Sequence, residues 1–147
     1  MRGIQYVVHI SLTDTICGMP APLIFSFVTA CRIHTDAIKE NLIPPELTLQ
    51  QTSLIYASEA DVLNMALFGM TAKEWRDSHP DNKGNIRDYA NVSQLVCLSN
   101  LENLNALFIQ EKRLQAERLC RLNQIAIQQM KILTNDTGIK HLEVEDK

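Results

Sequence analysis

The sequence predicts an all-α fold: a small bundle of about five to six short-to-medium helices behind an irregular amino-terminal leader. Three observations predict it. Apolar residues recur at three- and four-residue spacing over long runs, Ser, Thr and Gly stand where helix caps are needed, and β-branched alternation is scarce. The 147 residues suit one domain with ragged ends, and 46% hydrophobic with 21% charged residues excludes wholesale disorder. Aromatics are only 5%, so Leu, Ile, Val and Met must build the core. A net charge of -3 argues against a chain that holds nucleic acid by bulk electrostatics.

Residues 1–31 read as a divergent or truncated leader, with Gly18, Pro20 and Pro22 interrupting any helix. The apolar run Leu23–Ala30 is too short to span a bilayer. Val28-Thr29-Ala30-Cys31 has the form of a lipoprotein cleavage box, but Asp14 and the two prolines spoil the segment that should precede it. Residues 32–50 read as a short helix, capped by Thr35 or Asp36 and ended at Pro44-Pro45, followed by a connection that continues through residue 55.

The helical domain is expected over 51–134. Ser58, with Asp61 three residues on, reads as an N-cap, Val62 to Phe68 as an apolar face, and Gly69 as the residue that ends the helix. Thr71-Ala72-Lys73-Glu74 is a capping box that opens a short helix to about Ser78, where Pro80 stops it. Between Val92 and Leu107 an apolar residue stands at every third position, a stripe that winds around an ideal helix. Such a helix is either buried on all sides or broken, and Ser99-Asn100-Leu101-Glu102 reads as a second capping box that favours a break. A last amphipathic helix runs from about Leu114 to Leu133, and residues 135–147 read as a solvated tail.

Four segments carry a family resemblance: Arg32–Thr48, Tyr56–Arg76, Gly84–Ala90 and Leu122–Gln129. Together they span most of residues 32–134 and resemble the region that follows the DNA-binding module in KilA-N domain proteins of bacteria, phages and large DNA viruses. Ile10–Asp14 resembles the opening of that module, and the rest of it is missing. The resemblance implies a carboxy-terminal helical region of a truncated or internally deleted member, and carries no DNA-contact residue onto this chain. It implies a non-catalytic interaction or oligomerisation role beside a separate DNA reader.

Candidate residues divide by chemistry. Trp75, Leu104, Phe108, Leu119 and Met130 are candidate interaction residues, because the apolar residues of 92–133 exceed what one two-helix seam hides. Residues 58–78 also read as helix, turn and helix, with Lys73 and Arg76 as candidate DNA contacts, although Met65 and Asn64 depart from the helix-turn-helix pattern. His79-Pro80-Asp81 resembles the J-domain tripeptide, but the helix before it is too short. Lys112, Arg113, Arg118 and Arg121 read as a solvated basic face, and Arg87-Asp88 as a loop ion pair or cap.

No phosphate loop, nucleophile elbow or metal-spaced cluster is present, so no enzyme and no cofactor is expected. Cys17, Cys31, Cys97 and Cys120 are too widely spaced for a zinc or redox motif, which favours reduced thiols, buried at Cys97 and Cys120, in a cytoplasmic protein. The expected partner is a second copy or another protein, with DNA reached only through a separate module and no membrane.

Overall fold

The computed structural model describes residues 21–136. The first twenty residues of the expected leader and the tail from residue 137, Cys17 included, lie outside the described residues. Among those described, the fold is all-α with no strand. The helices are α1 (Ala21–Leu42), α2 (Leu49–Phe68), α3 (Ala72–Ser78), α4 (Val92–Gln110) and α5 (Gln115–Leu133), with a 3-10 turn at Ile86–Tyr89.

The first correction concerns α1, one 22-residue helix where a leader and a short helix were expected. Pro22 falls in the first turn, where the missing N–H has no intrahelical partner to lose. Phe27, Ala30, His34, Ala37 and Ile38 are all buried, and their three- and four-residue spacing makes a single core-facing stripe. Thr35 is no cap, because its hydroxyl donates back to the Cys31 carbonyl at 2.8 Å within the helix.

The start of α2 is corrected as well. It begins at Leu49 instead of near Ser58, because Thr48 and Gln51 form a full capping box: Thr48 Oγ1 accepts from the Gln51 N–H, and Gln51 Oε1 accepts from the Thr48 N–H. Gly69 ends α2 as expected, at φ +74°, where an L side chain is strained. Thr71 and Glu74 make the predicted box for α3, with Glu74 accepting from the Thr71 N–H at 2.7 Å. Thr71→Ala is expected to lower stability by about 1 kcal/mol, read from the urea midpoint at unchanged slope.

The third correction is that α4 does not break at Ser99. The stripe winds around a continuous rod because neighbours cover most of its sides, leaving Asn100, Asn103, Leu107 and Gln110 as its exposed face. Val62, Leu63 and Ala66 of α2 and Leu122 and Ala126 of α5 pack against Cys97, Leu98, Leu101 and Phe108. Ala37 and Ile38 of α1 pack against Ala106 and Ile109, while Phe27 meets Leu95 and Ala90. The helix that seemed to have apolar residues to spare is the centre of the bundle.

Hydrogen-bonded pairs set the directions. His34 meets Asn105 and Asn41 meets Lys112, so α1 and α4 run parallel. Gln115 meets Ser58 and Asn123 meets Ala66, so α5 and α2 run parallel too. Asn105 meets Arg118 and Asn100 meets Gln129, which makes α4 and α5 an antiparallel hairpin. Its turn is closed by Lys112 at φ 61°, with the Arg113 N–H donating to the Phe108 carbonyl. The order is therefore up, down, up, down, and residues 69–91 cross one end of the bundle from α2 to α4.

Candidate functional site

A chain of buried polar groups runs through all four long helices. Arg118 of α5, 2% exposed, donates from Nη1 and Nη2 to the two carboxylate oxygens of Glu59 on α2, at 2.6 and 2.9 Å. This is the paired fork that suits guanidinium and carboxylate geometry. Gln115 adds a third donor to Glu59 at 2.9 Å, and Arg118 Nε donates to the Arg113 carbonyl. Burial raises the Glu59 carboxyl, but the Arg118 bonds and charge, with Gln115, outweigh it and hold the group below its ordinary value.

The chain continues to Asn105 of α4 and His34 of α1. Arg118 can only donate, so its Nη1 contact at 2.9 Å fixes the Asn105 oxygen toward it. The Asn105 amide nitrogen then donates to His34 Nε2 at 2.8 Å. That assignment makes His34 a neutral imidazole protonated on Nδ1. Burial, then the charge of Arg87, pushes its pKa down to about 3.

A second buried pair anchors the crossover. Arg87, on the 3-10 turn, donates to Asn64 Oδ1 at 3.1 Å, to the Ala60 carbonyl at 3.3 Å and to Glu102 of α4 at 3.4 Å. Burial, opposed by the Arg87 charge, lifts Glu102 to about 7. Asn64, the residue out of place in a helix-turn-helix, is thus a core partner. It also donates to Asp61, whose carboxylate accepts from the Ala72 N–H at 2.8 Å and ties α3 to α2.

These positions correct the expectations for charge. Arg118 is interior, not solvated, and Arg87 is a core tether, not a surface loop pair. Both carry information that charge counting hid. Glu59 stands three and four residues before Val62 and Leu63, and Arg118 four before Leu122, so each occupies the apolar stripe of its helix. An ion on that stripe must find a buried counter-ion, and here each finds the other.

Trp75 is buried between His79, stacked at 4.9 Å and 15°, and Tyr89 at 5.1 Å and 37°. It anchors the crossover and presents no face outward. Leu104, Leu119 and Met130 are half-buried against the main cluster, and Phe108 lies within it with the Arg113 guanidinium 5.0 Å from the ring centre. Leu104, Phe108, Leu119 and Met130 pack on the cluster that α2 completes between α4 and α5, while Trp75 is covered within the crossover. Lys73 and Arg76 are exposed on α3, but Lys73 is ion-paired to Asp77 at 2.8 Å and Glu74 stands between them. His79 ends a seven-residue helix.

Other apolar residues face water, among them Phe25, Leu107, Ile127 and Ile132. Leu49 is 81% exposed, Leu54 69% and Leu114 76%, and Leu49, Gln50, Ser53 and Leu54 line a shallow groove. Burial raises the Cys31 thiol to about 12 and Cys97 to about 11, which keeps both protonated. Cys120 is exposed, against the expectation of a buried thiol. Among the described residues no group of three His, Cys, Asp or Glu side chains is placed to hold a metal, and no helix is long and apolar enough to cross a membrane. No family model, curated protein or solved structure matches this chain.

Proposed function

We propose that the chain is a non-catalytic helical interaction module, cytoplasmic, that joins two copies of itself beside a separate DNA reader of the KilA-N type. The observation that carries this reading is the overhang of α2. Gln115, the first residue of α5, meets Ser58, so the first nine residues of α2 reach about 13 Å beyond the helix that runs beside it. No residue of that stretch is charged, and Leu49 and Leu54 stand out from it almost bare. An uncharged helix end that carries two bare leucines suits a like surface: two copies meet there without repulsion.

The family part of the proposal is supported by where the resembling segments fall. His34, Ile38, Glu59, Leu63, Asn64, Trp75, Arg87 and Leu122 all belong to those segments and all are buried. Apart from α4 and Arg118, which lie outside them, the resembling segments supply much of this core. They do not coincide with the exposed Leu49 and Leu54, so pairing is a property of this chain's own overhang.

Size exclusion with light scattering tests the pairing. The expected result is a mass that doubles across the micromolar range, with Leu49→Ser/Leu54→Ser raising the dissociation constant tenfold or more. Both positions are exposed, so the double variant should melt within about 1 kcal/mol of the parent. A monomer at every concentration sinks the reading.

A further inference from the structure

The two buried ion pairs are built differently. Glu59 receives three donors, two from Arg118 and one from Gln115, none longer than 2.9 Å. Arg87 spreads over three acceptors at 3.1 to 3.4 Å, and its longest contact is the one to Glu102. Two of those acceptors, Asn64 and the Ala60 carbonyl, are neutral and belong to α2. Glu102 alone joins Arg87 to α4.

We propose that the Arg87–Glu102 pair is a releasable tie: charged Glu102 holds the crossover, residues 69–91, to α4, and protonated Glu102 lets it go while the four long helices stay packed. Loss of the charge leaves Arg87 with its two α2 partners and an 11% exposed side chain from which water is close. The polar joints left between crossover and bundle are then to α2, through Arg87 and through Asp61 to the Ala72 N–H, beside the apolar packing of Ala90 on Phe27 and Leu95.

The surroundings set the direction and range. On α1, Cys31 is raised partly by the charge of Glu102, and neutral His34 faces Arg87. On α2 stand Glu59 and Asp61, the first paired with Arg118 of α5 and the second hydrogen-bonded by the Asn64 amide and the Ala72 N–H. Arg87 is thus the cation that opposes burial at Glu102, whose pKa with the tie made is about 7. With Arg87 withdrawn and Glu102 still buried the value is higher, so the tie is fully made only above that higher value. It is lost as pH falls through about 7.

Hydrogen exchange tests this on the amides of Asp88 and Ala90, which close the 3-10 turn around Arg87. After correction for intrinsic rates, their protection is expected to fall about tenfold from pH 8.5 to pH 6, as loss of one charge-assisted bond implies. Leu101 and Leu122 amides, in α4 and α5, should hold constant protection. Glu102→Gln should show the low protection at both pH values, and Arg87→Met should do the same at parental helicity. His79→Gln, which removes the imidazole of the crossover, should keep the step. The tie is refuted by a wild-type chain without the step, by a step that survives in Glu102→Gln or vanishes in His79→Gln, or by Leu101 and Leu122 moving with the turn. Unfolding of both Glu102→Gln and Arg87→Met also refutes it, since the pair is then a requirement of the fold.

Discussion

Arg118→Ala is expected to destabilise the chain by about 3–5 kcal/mol, a large share of the stability of a domain this size. The loss comes from what is left behind. Glu59 stays buried with only Gln115 to satisfy it, and the Asn105 oxygen loses its donor. Glu59→Gln should cost less, because a neutral amide still accepts from Arg118, although it leaves that cation without a counter-charge. A cycle with Arg118→Met and Glu59→Leu is the sharper measurement. Replacing both ions by apolar groups should cost clearly less than the two single changes together, with each urea midpoint giving one corner. A double change that costs as much as the sum of the two single changes would mean the pair contributes nothing as a pair.

Acid is expected to unfold the chain chiefly through His34. Its folded value of about 3 lies below the ordinary 6.5, so the unfolded chain binds the extra proton. The stabilisation from neutral His34 is therefore complete above about pH 6.5 and is lost as pH falls toward 3, by on the order of 4 kcal/mol. Glu59, held below its usual value, adds a loss in the same direction at the acid end. Glu102 acts oppositely: its folded value of about 7 means the folded chain keeps a proton that the unfolded chain gives up, so its contribution shrinks as pH rises from about 4.5 to 7. His34→Gln isolates the first effect, since glutamine accepts from Asn105 without titrating. Urea midpoints at pH 4 and pH 7 should differ much less in that variant than in the parent; an unchanged difference would clear His34 of the role.

The fold class and two caps were legible because they rest on local rules. Gly69 and the Thr71–Glu74 box are decided within four residues, and the structure has both. Errors came where a distant neighbour decides. Pro22 and a short apolar run resemble a leader until Phe27, Ala30 and Ile38 are seen to face α4. Ser99 starts a plausible cap until it is seen buried in the bundle, where a break would leave carbonyls without partners. The Thr48–Gln51 box is equally local, and it starts α2 upstream of Ser58. Arg118 and Arg87 were the costliest to misplace: a charge on an apolar stripe is a signal only when a counter-charge is sought on another helix, and 59 residues separate Arg118 from Glu59. The interaction candidates turn on the same point, since an apolar side chain does not say which neighbour covers it.

The ring stack around Trp75 has a consequence for how this molecule is observed. Trp75 is the one tryptophan of the chain, and it sits wholly in the crossover, pressed between an imidazole and a phenol. Intrinsic emission therefore watches a single end of the rod, whereas circular dichroism sums over its length. Two optical probes of this protein are two gauges fixed at different stations, and a gap between their melting curves measures how independently the lid end yields.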